Sequence, residues 1–322
     1  MKTGPTGNLV LAIDIGGSKL MTAACQTVQN TQFQYTEFHA LSKSHCVLPP
    51  TTNADDLLGL IDACVSDTLD AAGLSICEMC AIGVNIPGLA EPQTGTWVYA
   101  CFSGIRNFPI AGILAEKYQK PVFIENDVNA CALAEKYFGA CREVDDFLWV
   151  TVSNGVGGGL VLSGDVFSGS SGNAGEIGHF CVEENEALAN PCGCGNLGCL
   201  EAQAAGPGIA KRYKKRTGND AGAEQIAALA RQGNTDALAV YEKTGYYLGK
   251  AIAAAVNLVN PGKVVLGGGV SQSFDLFYPE LHKTLQRQMF RDANQKLVIE
   301  QTQLGTDAAL AGAAAIALRG IS

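Results

Sequence analysis

Val150–Glu201 reads VTVSNGVGGGLVLSGDVFSGSSGNAGEIGHFCVEENEALANPCGCGNLGCLE. An apolar run ends in the glycine turn Ser153-Asn154-Gly155-Val156-Gly157-Gly158-Gly159, and a Glu-x-x-His pair follows at Glu176 and His179. A thiol cluster, Cys192-x-Cys194-Gly-x-x-Gly-Cys199, is closed by Glu201. Thiolates grip a tetrahedral Zn²⁺ when three or four soft ligands can point inward from a tight loop. Glycines at 193, 195 and 198 let the backbone fold round an ion. His179, thirteen residues before Cys192, would complete a Cys₃His set. The other reading is a group of buried or disulfide-paired cysteines, although three thiols within eight residues cannot all pair with one another. Four protein ligands leave no open position, so a zinc here is expected to hold the loop and not to activate water. The second ring nitrogen of His179 would then remain for a hydrogen bond, for instance to a substrate hydroxyl.

A chain of 322 residues has room for two domains of ordinary size. With 47% hydrophobic and only 16% charged residues it reads as compact and globular. A net charge of −9 argues against a nucleic-acid surface, where a basic stripe is expected. The opening MKTGPTGN is polar and glycine-rich and does not read as a signal peptide. No apolar run reaches the roughly 18–20 residues that span a bilayer, which excludes a helical membrane anchor from the expectation. Cys25, Cys64 and Cys131 lie in apolar contexts and read as buried reduced thiols. These features together give a cytoplasmic expectation.

From the N-terminus, Leu9–Ile15 is an apolar strand, broken by Gly16-Gly17 and resumed over Leu20–Cys25. The turn Asp14-Ile15-Gly16-Gly17-Ser18-Lys19 is either a plain hairpin or a place where backbone amides crowd an anion. Apolar spacing predicts a helix over Asp55–Ala72, with Gly73 after its end. Ala81–Ile86 reads as a buried strand entering Pro87-Gly88, where the glycine serves an ordinary turn or admits a sugar ring. Val122–Ile124 feeds a helix over Val128–Phe138, which puts Asp127 at a strand-to-helix junction. A carboxylate there commonly caps free amides, but Asn126 is available for that task and leaves Asp127 as a candidate general base. Phe147–Val152, the glycine turn and Leu160–Leu162 repeat the first strand–turn–strand unit about 140 residues later. That repetition points to a duplicated fold with a nucleotide clamped between its halves. Helices are expected over Gln203–Arg216, Ala223–Gln232, Asp236–Val259, Leu276–Phe290 and Thr306–Leu318, and strands over Lys263–Leu266 and Val298–Gln301. The basic run Lys211–Arg216 reads as a solvated helix face.

The motifs Gly155-Val156-Gly157-x-Gly159, Gly175-Glu176-Ile177-Gly178-His179 and the thiol cluster resemble the signature of the ROK family, named for repressors, open reading frames and sugar kinases. Asp14–Lys19, Glu125-Asn126-Asp127-Val128-Asn129 and Leu266-Gly267-Gly268-Gly269 extend the likeness over nearly the whole chain, in the family's order. The resemblance implies an α/β chain with the actin-like, hexokinase-like (ribonuclease H-like) duplicated fold: two domains with a cleft between them. The smaller domain is expected over 1–126, with 306–322 packing back on it, and the larger over 127–305 with the zinc loop. The implied activity is ATP-dependent phosphorylation of a hexose or N-acetylhexosamine at the 6-hydroxyl, with Asp127 as general base. Gly88, Asn126, Asn129, Glu176, His179 and Glu201 would meet the sugar. Asp14, Gly16, Gly17, Ser18, Lys19, Asn154, Gly155, Gly157, Gly267, Gly268 and Gly269 would meet ATP and Mg²⁺, with Asp14 on the metal through water. The zinc ligands would be His179, Cys192, Cys194 and Cys199. A homodimer is implied as well.

The family also contains repressors, which carry a DNA-binding arm before the first phosphate turn. Asp14 stands only thirteen residues from the start of this sequence. A kinase is therefore expected, with a non-catalytic sugar-binding regulator as the alternative. Two departures bear on substrate: Asn154 stands where family kinases often have Thr, and Cys101-Phe102-Ser103 stands where Asn-Leu and then Trp are common. Cys is a poor hydrogen-bonding replacement for Asn, which points to an unusual or N-acetylated hexose.

Overall fold

The computed structural model describes residues 8–30, 35–49, 51–100 and 104–321. The chain divides into two compact units, Met1–Glu143 with Ser168–Asn173 and Gln303–Ser322, and Val144–Phe167 with Ala174–Thr302.

In the first unit, β1 (Asn8–Ile15), β2 (Lys19–Asn30) and β3 (Tyr35–Val47) form an antiparallel meander. Helix α1 (Ala54–Ala72) begins at Asn53, whose side chain accepts from the Asp56 amide, and stops at Gly73 with φ 65°. Strand β4 (Ala81–Ile86) pairs in parallel with β1 and is buried at every residue, as a strand covered on both faces must be. Three short strands, β5 (Leu89–Glu91), β6 (Thr96–Tyr99) and β7 (Arg106–Phe108), make a separate small sheet before α2 (Ile110–Tyr118). Strand β8 (Val122–Asn126) then pairs in parallel with β4, and α3 (Asp127–Tyr137) follows it directly. The main sheet has the order β3-β2-β1-β4-β8. Its register sets Asp14 opposite Asn85 and Ile86 opposite Asn126, so polar residues gather at one end of an apolar sheet.

The C-terminal helix, Ala308–Ile321, packs on β1, β4, β8 and α3. Its small residues allow backbone-to-backbone approach: a Cβ on Gly83 would lie 1.8 Å from the Ala313 carbonyl, and one on Gly312 would lie 2.6 Å from the Ala130 carbonyl. Because α3 is packed on this helix, the first unit runs on from the expected boundary at 126 to Glu143.

The second unit repeats the pattern. Strands β9 (Phe147–Val152), β10 (Val156–Leu162) and β11 (Asp165–Val166) form an antiparallel meander. Helices α4 (Leu200–Ala204), α5 (Gly206–Thr217), α6 (Ala223–Arg231) and α7 (Thr235–Val259) follow, then β12 (Lys263–Gly267), α8 (Phe274–Gln288) and β13 (Val298–Gln301). The sheet order is β11-β10-β9-β12-β13, with β12 parallel to both neighbours. Each sheet is thus a three-stranded meander extended by two parallel strands, and each first hairpin is closed by three residues, 16–18 and 153–155. The duplication expected from the sequence is present.

Two differences have physical causes. The turn expected over 155–159 ends at Gly155; Gly157, Gly158 and Gly159 already pair with Thr151, Val150 and Trp149. Glycines occupy this strand because backbone crosses it: a Cβ on Gly158 would stand 2.5 Å from the Gly175 carbonyl. The helix expected over Gln203–Arg216 is broken into α4 and α5, since the Gly206 amide bonds the Ser153 carbonyl at 2.8 Å. The small residues of α7 serve an internal contact, with Gly245 and Gly249 placed against the Phe277 and Leu281 carbonyls of α8.

Candidate functional site

The first unit concentrates acidic and amide groups where β1, β4 and β8 end. Asp14 is 8% exposed and the amide of Asn85 lies at its side in the register. Burial, then the charge of Asp127, raises the Asp14 carboxyl from the ordinary 3.8 to about 7. Asn85 Nδ2 donates to the Ala309 carbonyl at 2.8 Å, whereas Asn85 Oδ1 is buried without a partner. Asp127 begins α3, its Oδ1 accepting from the Val128 amide at 3.0 Å. Asn126 is the cap, accepting from the amides of Val128 (2.9 Å) and Asn129 (3.2 Å). Its Nδ2 donates to the Gly88 carbonyl at 2.9 Å, tying the loop after β4 to the start of α3. Thus Asp14, Gly88, Asn126, Asp127 and Asn129 are brought together.

Gly16 closes the first turn, its amide on the Lys19 carbonyl at 2.8 Å, and Gly17, Ser18 and Lys19 are exposed. The charge of Lys19 reaches Asp14 and partly offsets its upward shift. Gly88 has φ 84° and a Cβ there would stand 2.3 Å from the Tyr99 carbonyl, which accounts for the glycine without a sugar.

Two residues with structural leverage escaped assignment in the sequence. Glu125 is 3% exposed, accepts from the Asn126 amide at 3.0 Å and from Asn129 Nδ2 at 3.2 Å, and faces Arg319 at 3.7 Å. Asn85 is fully buried. Both are polar letters inside short apolar strands, and that contrast is the signal that could have found them. Cys101, with Phe102 and Ser103, lies outside the described residues.

In the second unit the turn 153–155 borders a cavity of about 470 Å³, whose walls include Ser153, Asn154, Gly206, Arg231, Gly269 and Ser273. Gly267 is occupied with a different neighbour: a Cβ there would lie 2.2 Å from the Trp149 ring. Gly268 has φ 85° with the Val152 carbonyl close behind it, and only Gly269 of the three lines the cavity. Gly157 lies within β10 opposite Thr151. Arg231 is held by Asp275 at 2.8 and 3.2 Å, a hydrogen-bonded pair that keeps the Asp275 carboxyl below its usual value.

The thiol loop brings its four expected ligands together. Cys192 Sγ stands 3.7 Å from His179 Nδ1, Cys194 Sγ stands 3.7 Å from Cys199 Sγ, and all four ligand atoms lie within 4.8 Å of one another. A tetrahedron with bonds of about 2.0–2.3 Å has edges of roughly 3.3–3.8 Å, so the donor set fits a zinc ion with little movement. The Asn196 amide, then Cys192, pulls the Cys194 thiol down to about 7. The loop is pinned by Gly198, φ 72°, where a Cβ would stand 1.9 Å from the Glu183 carbonyl.

The other ring nitrogen of His179 points at Glu176, 3.7 Å away, and both side chains are partly exposed. Glu201 stands beside the thiol loop. Its Oε2 accepts from the Val156 amide at 3.1 Å and underlies Gly155, while Oε1 stands 3.9 Å from Cys192 Sγ. Glu201 therefore links the thiol loop to the turn that borders the cavity.

The model of the ROK family matches residues 10–320. The DNA-binding transcriptional dual regulator NagC of Escherichia coli is 33% identical over 288 residues, 87% of this chain and 70% of the regulator. A glucokinase of Halalkalibacterium halodurans is 33% identical over 281 residues, 81% of this chain and 84% of the enzyme. The structure of a ROK family glucokinase from Streptomyces griseus in complex with glucose and AMPPNP superposes with a TM-score of 0.77 at 27% identity, covering 97% of this chain and 100% of that one.

Proposed function

The chain belongs to the ROK family, and from that premise we propose that it is an ATP-dependent sugar kinase acting on the 6-hydroxyl of a hexose or N-acetylhexosamine. The observation that carries this reading is the pair Asp14 and Asp127, two carboxylates held within electrostatic reach at the end of a buried sheet. Such a cluster is costly by itself and is relieved by a divalent cation and a proton-bearing hydroxyl. Asp127 would take the proton of the sugar hydroxyl as that oxygen attacks the γ-phosphorus, and the bond to ADP breaks with its electron pair leaving on ADP. Asn126, Asn129, Glu176 and His179 would orient the ring hydroxyls. Mg²⁺ bound with ATP would neutralise phosphate charge, with Asp14 on its hydration shell and the Asn85 carbonyl oxygen beside it.

The cavity beside turn 153–155 is of a size that takes a nucleoside. Backbone amides of the turns 16–18 and 153–155 suit phosphate oxygens, which need close approach without side chains. The AMPPNP and glucose of the Streptomyces griseus glucokinase support this assignment of ligands. A zinc ion on His179, Cys192, Cys194 and Cys199 would fix the segment carrying Glu176 and His179.

A second reading, a sugar-binding regulator, is favoured by the likeness to NagC. A panel of hexoses and N-acetylhexosamines with Mg²⁺ and ATP separates the two. ADP release dependent on one sugar class supports the kinase; sugar binding with no ADP release across the panel selects the regulator.

A further inference from the structure

Helices α5 and α7 enclose another cavity of about 450 Å³ in the second unit, lined by none of the residues assigned above to sugar, nucleotide or zinc. Arg212, Lys215, Arg216 and Lys243 stand in its wall, an unusual concentration of positive charge in a chain of net charge −9. Arg216 is neutralised by Asp236 at 2.6 Å, and Glu280, also in the wall, is taken by Lys283 at 2.8 Å. Of the remaining three cations, only Lys243 has a carboxylate within ion-pair distance among the described residues.

Arg212 donates to the Gln203 carbonyl and to Thr244 Oγ1, and its guanidinium lies 5.3 Å from the Tyr247 ring centre. Among the described residues it has no carboxylate within ion-pair distance. Burial lowers it to about 10, the direction expected of a cation without a counter-charge. Lys243 lies 4.1 and 4.6 Å from the ring centres of Tyr246 and Tyr247. Its carboxylate neighbour is Glu183 at 3.6 Å, which also accepts from the Tyr247 hydroxyl at 2.8 Å. Lys215 donates to the Ala187 carbonyl. Glu242, the other acid in the wall, is exposed.

We propose that this cavity binds a phosphate monoester of a polyol, with Arg212, Lys215 and Lys243 on the phosphate and Tyr246 against the carbon skeleton. Guanidinium and ammonium donors recognise a phosphate dianion by short charge-assisted hydrogen bonds. An aromatic face beside them suits a ring with C–H groups. Each cation is anchored on the segment that runs through the thiol loop: Lys243 on Glu183, Lys215 on Ala187, Arg212 on Gln203, two residues beyond Glu201. A bound phosphate competes for those donors, so occupancy is read out at the loop that carries the zinc ligands and Glu201. That the natural ligand is the sugar phosphate formed by the enzyme rests on the kinase reading; the anion site does not.

Titration calorimetry of the zinc-loaded protein with glucose 6-phosphate, inorganic phosphate and glucose tests this. Glucose 6-phosphate should bind more tightly than inorganic phosphate. Lys215→Gln and Lys243→Gln, at unchanged melting temperature, should each weaken it by at least about tenfold, the effect of losing one charge-assisted hydrogen bond. Glu176→Gln, in the proposed sugar site, should leave that binding in place. Absence of binding by either phosphate overturns the proposal, as does binding lost in Glu176→Gln and kept in both lysine variants. Equal affinity for the ester and for inorganic phosphate overturns the polyol assignment. A protein that binds glucose 6-phosphate here yet releases no ADP with any sugar would end the kinase reading and leave this site standing.

Discussion

Burial and the Asp127 charge raise the Asp14 carboxyl to about 7, so the folded protein keeps a proton there that the unfolded chain gives up near pH 4. Between those values the native state binds more protons than the unfolded one, and stability must fall as pH rises through that window. The shift corresponds to something on the order of 4 kcal/mol. Asp14→Asn should therefore melt above the wild type at pH 7.5 and close to it at pH 4.5, in thermal scans without nucleotide; a lower melting point at pH 7.5 would contradict this origin of the shift. The same variant should lose Mg²⁺-dependent turnover. Asp127→Asn should lower kcat by roughly 10²-fold or more with a modest change in sugar affinity, measured by steady-state kinetics and calorimetry. Both aspartates were legible because each sits in a motif at the end of an apolar run. Gly88 and Gly267 were legible only as glycines: the reasons for them, the Tyr99 carbonyl and the Trp149 ring, are neighbours that no local stretch of sequence names.

Among the elements, the thiol loop makes the most exposed prediction. Native protein should carry about one zinc per chain, and Cys194→Ala should lose it, as read by elemental analysis. Structural zinc is worth roughly 10–16 kcal/mol in small peptides, but here the loop alone depends on it, so the loss should be local. Sugar affinity should fall with the metal. Glu201 adds an expectation that the sequence did not give. Because its carboxylate holds the Val156 amide beside Cys192, nucleotide affinity should fall as well, by less. A zinc-free variant with sugar affinity intact would refute the coupling. On the helical side, Gly245→Ala would put a Cβ 2.1 Å from the Phe277 carbonyl and should cost about 1–3 kcal/mol, seen as a lowered melting temperature. Strands buried along nearly their whole length, such as β4 and β9, announce themselves as mainly apolar runs and were read to the residue. Strand β3 is half exposed and β5 to β7 are three or four residues long, so their composition hardly differs from loop.

For the whole molecule, the family resemblance implies a homodimer, and light scattering at micromolar protein should give twice the chain mass of 33.6 kDa. A monomer at that concentration would remove it. The glycines of α7 do not supply the contact, being spent on α8. The repeated sheet order was foreshadowed by two similar hairpins, and the return of 306–322 to the first unit was expected; the boundary at Glu143 was harder to foresee, because it depends on the packing of α3 against that distant helix. That placement bears on synthesis. A ribosome delivers β1, β4 and β8 early, while the surface that covers them, Ala308–Ile321, emerges only at the end. The second unit, continuous but for six residues, can close on itself before then. The order of folding on the ribosome should therefore run against the order of the sequence, the early half waiting with a naked apolar face that chaperones would recognise. Nascent chains stalled after Thr302 should resist protease through the second unit and be cut within the first.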